Sequence, residues 1–393
     1  MDKYSILDQD LYKMTMQLAV IWMFPNVKVR YGFINRGGTI WPEGMADRLR
    51  ERLIRFSEEA ILMKEEREYL ETIRFMTPFY IWCLSNYHFD PSEIQVSDNI
   101  DDTIVEGYWW RTILWECVFL SMLSELYYEM TGQKLPDRNI LTKINMTKGY
   151  DFYQNDIDFV EAGFRRRFSF DNQDHVISDL IKSAQKGLIG TSNVYFSKKY
   201  NLKAIGTKAH EWYMAHSAMY GFHEANRKSL ENWIKVYNGD LGIALPDTFT
   251  SKAFFRIFDT YFAKLFDGVR QDSGDPIEFG NLALETYNKV IPDPSLIQSK
   301  VIIFSDSLKS IEKILSIDKE FVNKIRRSYM IGTWLTNDIP DIDPLNIVMK
   351  LSHVQVNGMW VPVVKLGDGT GKYTGDIKQI NLAKKSLNVE EEI

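Results

Sequence analysis

The stretch Ala204-Ile205-Gly206-Thr207-Lys208-Ala209-His210-Glu211-Trp212-Tyr213-Met214-Ala215-His216 decides how this chain is read. A β-type run, Leu202 to Gly206, ends in a Gly-Thr loop that presents one histidine, His210, at the start of a helical pattern. Three other segments share the layout: Gly190-Thr191-Ser192-Asn193, Gly268-Val269-Arg270-Gln271-Asp272-Ser273-Gly274-Asp275-Pro276 and Ile303-Phe304-Ser305-Asp306-Ser307. Each is an apolar run, then a small or polar turn, then a helical pattern. Polar chemistry repeated at strand ends predicts a barrel with its active site on one face.

Working outward, the pattern predicts strand-helix alternation from about residue 140. Phe159 to Phe164 reads as a strand followed by Arg165-Arg166-Arg167, and Asp174 to Lys186 as a helix. Glu224 to Tyr237, Lys252 to Phe266, Ile277 to Val290 and Ser307 to Leu315 read as helices; Leu241 to Leu245, Val301 to Phe304 and Ser328 to Ile331 read as strands. Consecutive βα units imply a parallel sheet, and their number favours a closed or nearly closed barrel. The first 130 residues read differently: Asp8 to Met23 as an amphipathic helix, Val27 to Asn35 as a strand, Met45 to Leu70 and Trp109 to Met130 as long helices. After about 344 the texture returns to β, with Asn357-Gly358 as a hairpin turn. The expected fold is α/β: an irregular, TIM-like α/β barrel with a second α+β domain from the N-terminal helices and C-terminal strands. The expected boundaries are 1–135, 136–344 and 345–393.

The chain has 393 residues, 45% of them hydrophobic, enough for a sizeable core, and a formal net charge of −6. That charge gives nucleic-acid binding no support. Cys83 and Cys117 lack CxxC spacing and read as buried thiols of a reducing compartment. The first residues carry no basic segment followed by an apolar one, and no apolar run is long enough to span a bilayer. The expectation is a soluble, cytoplasmic protein that binds no membrane.

Four groups of residues carry the chemistry. His210 becomes a nucleophile when a carboxylate fixes its tautomer, with Asp247 and Glu211 as candidates. The Arg270–Asp275 loop suits a phosphorylated, metal-bound substrate: Arg270 for bidentate anion contacts, Asp272 for Mg²⁺. Gly190-Thr191, Gly206-Thr207 and Gly332-Thr333 place backbone N–H groups where anions bind. Alternation along the Arg run turns Arg165 or Arg167 toward an anionic site. His210, His216, His223 and His353 have no zinc spacing, and no G-x-S-x-G elbow is present. Gly367-Asp-Gly-Thr-Gly-Lys372 lacks P-loop spacing and reads as a surface turn.

These motifs, with Leu7-Asp-Gln-Asp-Leu-Tyr-Lys-Met-Thr15 and Pro344-Leu-Asn-Ile-Val-Met-Lys350, closely resemble the nicotinate phosphoribosyltransferases, from residue 7 to about 380. The resemblance implies a type II phosphoribosyltransferase fold and a homodimer with active sites at its interface. It implies that nicotinate and phosphoribosyl pyrophosphate give nicotinate mononucleotide and pyrophosphate, in salvage toward NAD. ATP hydrolysis would be coupled through a phosphohistidine, which makes the enzyme a carbon–nitrogen ligase as well as a transferase.

Carried over by motif, His210 is the phosphorylated residue and Asp247 its orienting partner. Arg270 faces nicotinate and phosphate groups. Asp272, with Asp247, binds Mg²⁺ or stabilises a cationic ribose. Ser305, Asp306, Gly332 and Thr333 hold the ribose and its 5′-phosphate, beside Thr191. Tyr12 stacks on the pyridine across the dimer, Arg165 lines the anionic site, and Lys350 contacts phosphate from the neighbouring subunit. Ser192 stands where nicotinamide-using relatives carry Asp; a hydroxyl donor there suits the carboxylate of nicotinate. Two positions depart from the family pattern. Ala162 replaces an aromatic residue of many relatives, and Trp334 replaces an Arg of some bacterial members. The alternatives are a nicotinamide- or quinolinate-using relative, or a non-catalytic ligand-binding homologue.

Overall fold

A computed structural model of the chain describes residues 4–369 and 373–389. These form two compact units. One is built from residues up to Ile21, Arg30–Gly206 and Ile331–Lys350; the other from Trp22–Val29, Thr207–Met330 and the chain from Leu351 on.

In the first unit, the turns of helix Leu11–Met23 up to Val20 are buried on nearly every face except at Tyr12. The expected amphipathic stripe is absent because its polar positions are satisfied internally. The Lys13 ammonium sits 2.5 Å from the Glu116 carboxylate. Gln17 donates to the Trp110 carbonyl at 2.8 Å and accepts from the Tyr80 hydroxyl at 2.7 Å. The single helix expected over Met45 to Leu70 is two, Met45–Glu59 and Lys64–Glu71. Glu66 explains the break: its carboxylate accepts from the Met63 N–H at 2.9 Å and starts the second helix as a capping group. Trp109 to Met130 likewise divides into Trp109–Thr112 and Trp115–Met130. Strand Phe159–Glu161 pairs in parallel with Leu188–Thr191, with Glu161 opposite Thr191. It stops at Glu161, so the arginines are not on a strand. Phe164–Arg166 is a 3-10 turn, and alternation does not govern which way they point.

Two helices that follow one another around this strand, Arg138–Gln154 and Phe170–Ala184, pack closely at Gly149. A Cβ on Gly149 would lie 1.9 Å from Ser183 Oγ and 3.0 Å from the Ala184 nitrogen.

The second unit contains four parallel strands: Ile243–Ala244, Gly268–Gln271, Val301–Phe304 and Arg326–Ile331. The register sets Ile243 opposite Gly268, Gly268 opposite Val301 and Val301 opposite Arg326. Gly268 is required by contact: a Cβ there would meet the Val301 carbonyl at 2.0 Å. Helices Pro276–Val290 and Ile311–Phe321 follow two of these strands. The second begins later than the expected Ser307, because Ser310 supplies the cap to the Lys313 N–H. Lys252 to Phe266 is interrupted at Phe258, and Asp259 caps the restart at Thr260. The run before Gly206 makes one bridge, at Ala204, and no strand. Beyond the parallel strands, His353–Val356 pairs antiparallel with Met359–Pro362. Asn357 and Gly358 turn between them at φ 50° and 81°, the type I′ hairpin geometry that Asn-Gly favours. Helix Ile377–Leu387, capped by Asp376, was not anticipated.

The core of this unit is aromatic. Trp212 meets Trp233 edge-on at 5.4 Å, and Phe258 stacks near Phe254 and Phe262. His216 lies inside it. Its Nδ1 bonds the Trp212 carbonyl at 2.6 Å and its Nε2 faces Asn232 Nδ2 at 3.1 Å, which fits one neutral tautomer. No helix among the described residues is long and apolar enough to cross a membrane.

Two expectations follow. Gly149→Ala overpacks the helix pair and should lower the unfolding free energy by about 1–3 kcal/mol, read from the urea midpoint at constant slope. Burial pulls the pKa of His216 down to about 3, against about 6.5 in the unfolded chain. Above that value neither state holds the proton and the neutral ring's contribution is whole. As pH falls from about 6.5 toward 3, the unfolded chain takes up a proton that the folded chain refuses, and stability drops. His216→Gln should therefore flatten the pH dependence of unfolding between about pH 6 and 5, by up to about 1.4 kcal/mol per pH unit.

Candidate active site

The loops after the parallel strands of the second unit converge on His210. The ring is the first residue of helix His210–Tyr220 and is 4% exposed. Asp247 and Thr248 come from the turn Pro246–Phe249 that follows Ile243–Ala244, and Asp272 from the loop after Gly268–Gln271. Lys365 comes from the C-terminal segment, where its backbone bridges Thr374.

The imidazole is held on both sides. Nδ1 lies 3.0 Å from Thr248 Oγ1. Nε2 lies 2.9 Å from Asp272 Oδ2 and 2.9 Å from Lys365 Nζ. Asp247 is not the ring's direct partner: its Oδ2 stands 3.9 Å from Nε2 and reaches it through Lys365, which donates to Oδ2 at 3.2 Å. The hydroxyl of Ser273 donates to the same oxygen. Ser305 Oγ donates to Asp272 Oδ1 and to the Gln271 carbonyl within 2.8 Å. Arg270 Nη2 approaches Asp272 Oδ2 at 3.9 Å. The Asp306 N–H reaches Gln271 Oε1 at 3.4 Å.

Burial, then the Lys365 ammonium, pulls the His210 pKa to about 4, against the opposing pull of Asp247 and Asp272. The ring is therefore neutral near pH 7. Burial pushes the Asp272 carboxyl up, but Arg270 and His210 outweigh it and hold it well below the ordinary range. Burial acts likewise on Asp247, outweighed by Lys365 and His210. One ligand atom each of His210, Asp247 and Asp272 lie within 4.8 Å of one another. Asp247 Oδ1 is buried without a hydrogen-bond partner. Just before His210, Lys208 is 2% exposed. Its ammonium donates to the Ile243 carbonyl at 2.9 Å and lies over the rings of Trp233 (4.5 Å) and Phe266 (4.9 Å).

The first unit gathers a second set. The Arg165 guanidinium lies 5.8 Å from the centre of the Tyr12 ring. Its approaches to carboxylates are long: 3.5 Å to Glu116 and 3.7 Å to Asp10. Arg167 is instead consumed by structure, bidentate on Asp8 at 2.9 and 2.8 Å and 2.7 Å from Glu125. Ser192 does not keep its hydroxyl proton free: Oγ donates to Asp10 Oδ1 at 2.6 Å. Thr191 donates to buried Glu161 at 2.5 Å. Lys350 stands in the strand Ile347–Val356 and, after Lys13 and Arg165, helps hold the Glu116 carboxyl below its ordinary range against burial. Gly332 leads into the short helix Thr333–Thr336. A Cβ on Gly332 would press the Ala162 carbonyl at 3.2 Å. The Trp334 ring lies under the Lys148 ammonium at 4.9 Å.

Sequence reasoning missed Thr248, Lys365, Asp10 and Asp368. Only the last had a local cue, the glycines around it. At the start of the expected surface turn Gly367–Lys372, Gly367 is buried and Asp368 half-buried, and Asp368 accepts from the Ser251 N–H at 2.8 Å. Residues 370–372 lie outside the described residues.

The family model "Nicotinate phosphoribosyltransferase (NAPRTase) family" matches residues 157–391, and the N-terminal domain model of the same family matches residues 7–124. A nicotinate phosphoribosyltransferase of Chromohalobacter salexigens is 41% identical over 98% of both chains. One of Desulforapulum autotrophicum is 44% identical over 96% of both. The crystal structure of nicotinate phosphoribosyltransferase from Porphyromonas gingivalis superposes with a TM-score of 0.94 at 38% identity, covering 98% of this chain and 99% of that one. In fold and in sequence, then, this chain belongs to the nicotinate phosphoribosyltransferase family.

Proposed function

We propose that this protein joins nicotinate to 5-phosphoribosyl 1-pyrophosphate, releasing nicotinate mononucleotide and pyrophosphate, and that ATP drives the reaction through phosphorylation of His210. The observation that carries the reading is the neutral, buried imidazole of His210 fixed by Thr248, Asp272 and Lys365, in a chain of this family. A neutral imidazole is nucleophilic, and the nearby Lys365 and Arg270 supply positive charge for a phosphoryl group.

Loss of pyrophosphate leaves a cationic ribose, which a fixed carboxylate stabilises. Asp272, anchored by Ser305, is the group for that role, with Asp306, Gly332 and Thr333 around the ribose and its phosphate. The donor set of two carboxylates, one with a buried free oxygen, suits a hard cation. Asp272 and Asp247 would hold Mg²⁺, which neutralises phosphate charge when bound. Arg165 over Tyr12 offers a cation and an aromatic face to an aromatic carboxylate. In a homodimer, Tyr12 and Lys350 would reach the neighbouring subunit's site. The setting is nicotinate salvage toward NAD in the cytoplasm.

One observation favours a second reading. The Asp10 carboxylate on Ser192 places an acceptor beside the position that selects the pyridine, and an acceptor suits the amide of nicotinamide.

The test pairs nicotinate or nicotinamide with phosphoribosyl pyrophosphate and Mg²⁺, with and without ATP. Mononucleotide from nicotinate, raised by ATP, is expected; product from nicotinamide alone selects the second reading, and no product in any tube overturns both. His210→Ala should lose the acid-labile label from [γ-³²P]ATP and lower ATP-coupled kcat at least ~100-fold. Full ATP-coupled turnover by that variant would remove His210 from the mechanism.

A further inference from the structure

Lys365 reaches His210 from a segment 155 residues away in sequence, so something must hold that segment in place. Its backbone is fixed at two points: the Leu366 N–H donates to the Thr248 carbonyl at 2.8 Å, and Lys365 exchanges bonds with Thr374 at 3.0 and 2.8 Å. A third attachment is made by Asp368. Its carboxylate takes both the N–H of Ser251, at 2.8 Å, and the Ser251 hydroxyl. Its own N–H donates to Ser273 Oγ at 2.9 Å, and that hydroxyl donates to Asp247 Oδ2. A continuous chain of donors thus runs from the Asp368 backbone through Ser273 to Asp247, the oxygen that also receives Lys365. The approach is tight. Gly274 sits at φ 77°, and a Cβ there would meet Asp368 Cβ at 2.8 Å.

We propose that Asp368 is a positioning residue of this site: it latches the Lys365–Gly367 segment onto the 247–251 turn and the Ser273 loop, so that the Lys365 ammonium covers His210 Nε2 and Asp247 together. A carboxylate that only capped the helix Ser251–Ile257 would stabilise the protein without touching the reactivity of His210. The latch makes Lys365 and Asp368 one device, and residues that act as one device are non-additive when removed.

Carboethoxylation of His210 by diethyl pyrocarbonate, followed by peptide mass spectrometry, reads this directly. Lys365→Met and Asp368→Ala should each raise the rate about fivefold or more, and the double variant should match Lys365→Met within about twofold. Asp368→Asn, which keeps a carbonyl acceptor for the Ser251 N–H, should restore most of the protection. In turnover, an arm that rests on the phosphoribosyl-transfer reading, both single variants should lower kcat by about tenfold with KM for nicotinate little changed. If Asp368→Ala fails to fold, Ser251→Ala removes one bond to the latch and takes its place in the comparison. Wild-type protection in the folded Asp368 variant, or single effects that multiply in the double variant, would overturn the proposal. A wild-type protein that makes no mononucleotide would refute the activity instead, and the modification rates would still decide the latch.

Discussion

Two carboxylates and one ammonium gather around the imidazole of His210, and Asp247, Lys365 and the ring itself are buried. At that depth, a charge left without its counter-charge costs about 3–5 kcal/mol. Asp247, with no exposure at all, is tolerable only because Lys365 and Ser273 both aim at one of its oxygens. The same ammonium adds to burial in keeping the imidazole unprotonated, so one cation compensates a buried anion and covers the ring nitrogen at once. Much of the local architecture serves this balance. The parallel strands end at Asp272 and Ser305, the 246–249 turn delivers Asp247 and Thr248, and the C-terminal segment brings the lysine.

The charged cluster of the first unit obeys a different logic. Lys13 and Glu116 close on each other, and Arg167 is fully occupied by Asp8 and Glu125. Arg165 alone of this group approaches its carboxylates at long range and keeps a partly exposed side chain beside Tyr12. Three adjacent arginines thus divide among three tasks: Arg165 beside the Tyr12 ring, Arg166 onto the Ile347 carbonyl, Arg167 into the core. Charge count alone does not separate them; the 3-10 turn does.

Local chemistry made much of this legible. The His210 helix start, the Asp272 loop and the Asn357-Gly358 hairpin were all readable because each is specified by neighbouring residues. The helix breaks at Ala60 and Phe258 were not, because each depends on a cap that competes with a continuous apolar period. Lys365 and Asp10 were invisible for another reason. A lone lysine beyond the strand Met359–Pro362 has no signature, and its partner is 155 residues away; Asp10 and Ser192 are separated by 182. The Ser192 reading shows the consequence. Its hydroxyl is a donor, as expected, but a carboxylate from the N-terminal segment already takes the proton.

Lys208 has a consequence of another kind. Its amine end is buried in the core with one carbonyl as acceptor and two aromatic faces as the rest of its shell, and that burial, with Arg270 nearby, pulls its pKa well below the ordinary lysine range. Indole emission responds to the charge state and distance of such a group, and the Trp233 ring is 4.5 Å from the Lys208 nitrogen. The loop that delivers the histidine therefore carries its own optical gauge. Movement of residues 207–209 changes the distance between Lys208 and the Trp233 indole, one of ten tryptophans in the chain, so the part of the emission lost in Trp233→Phe is the part that registers the loop's position.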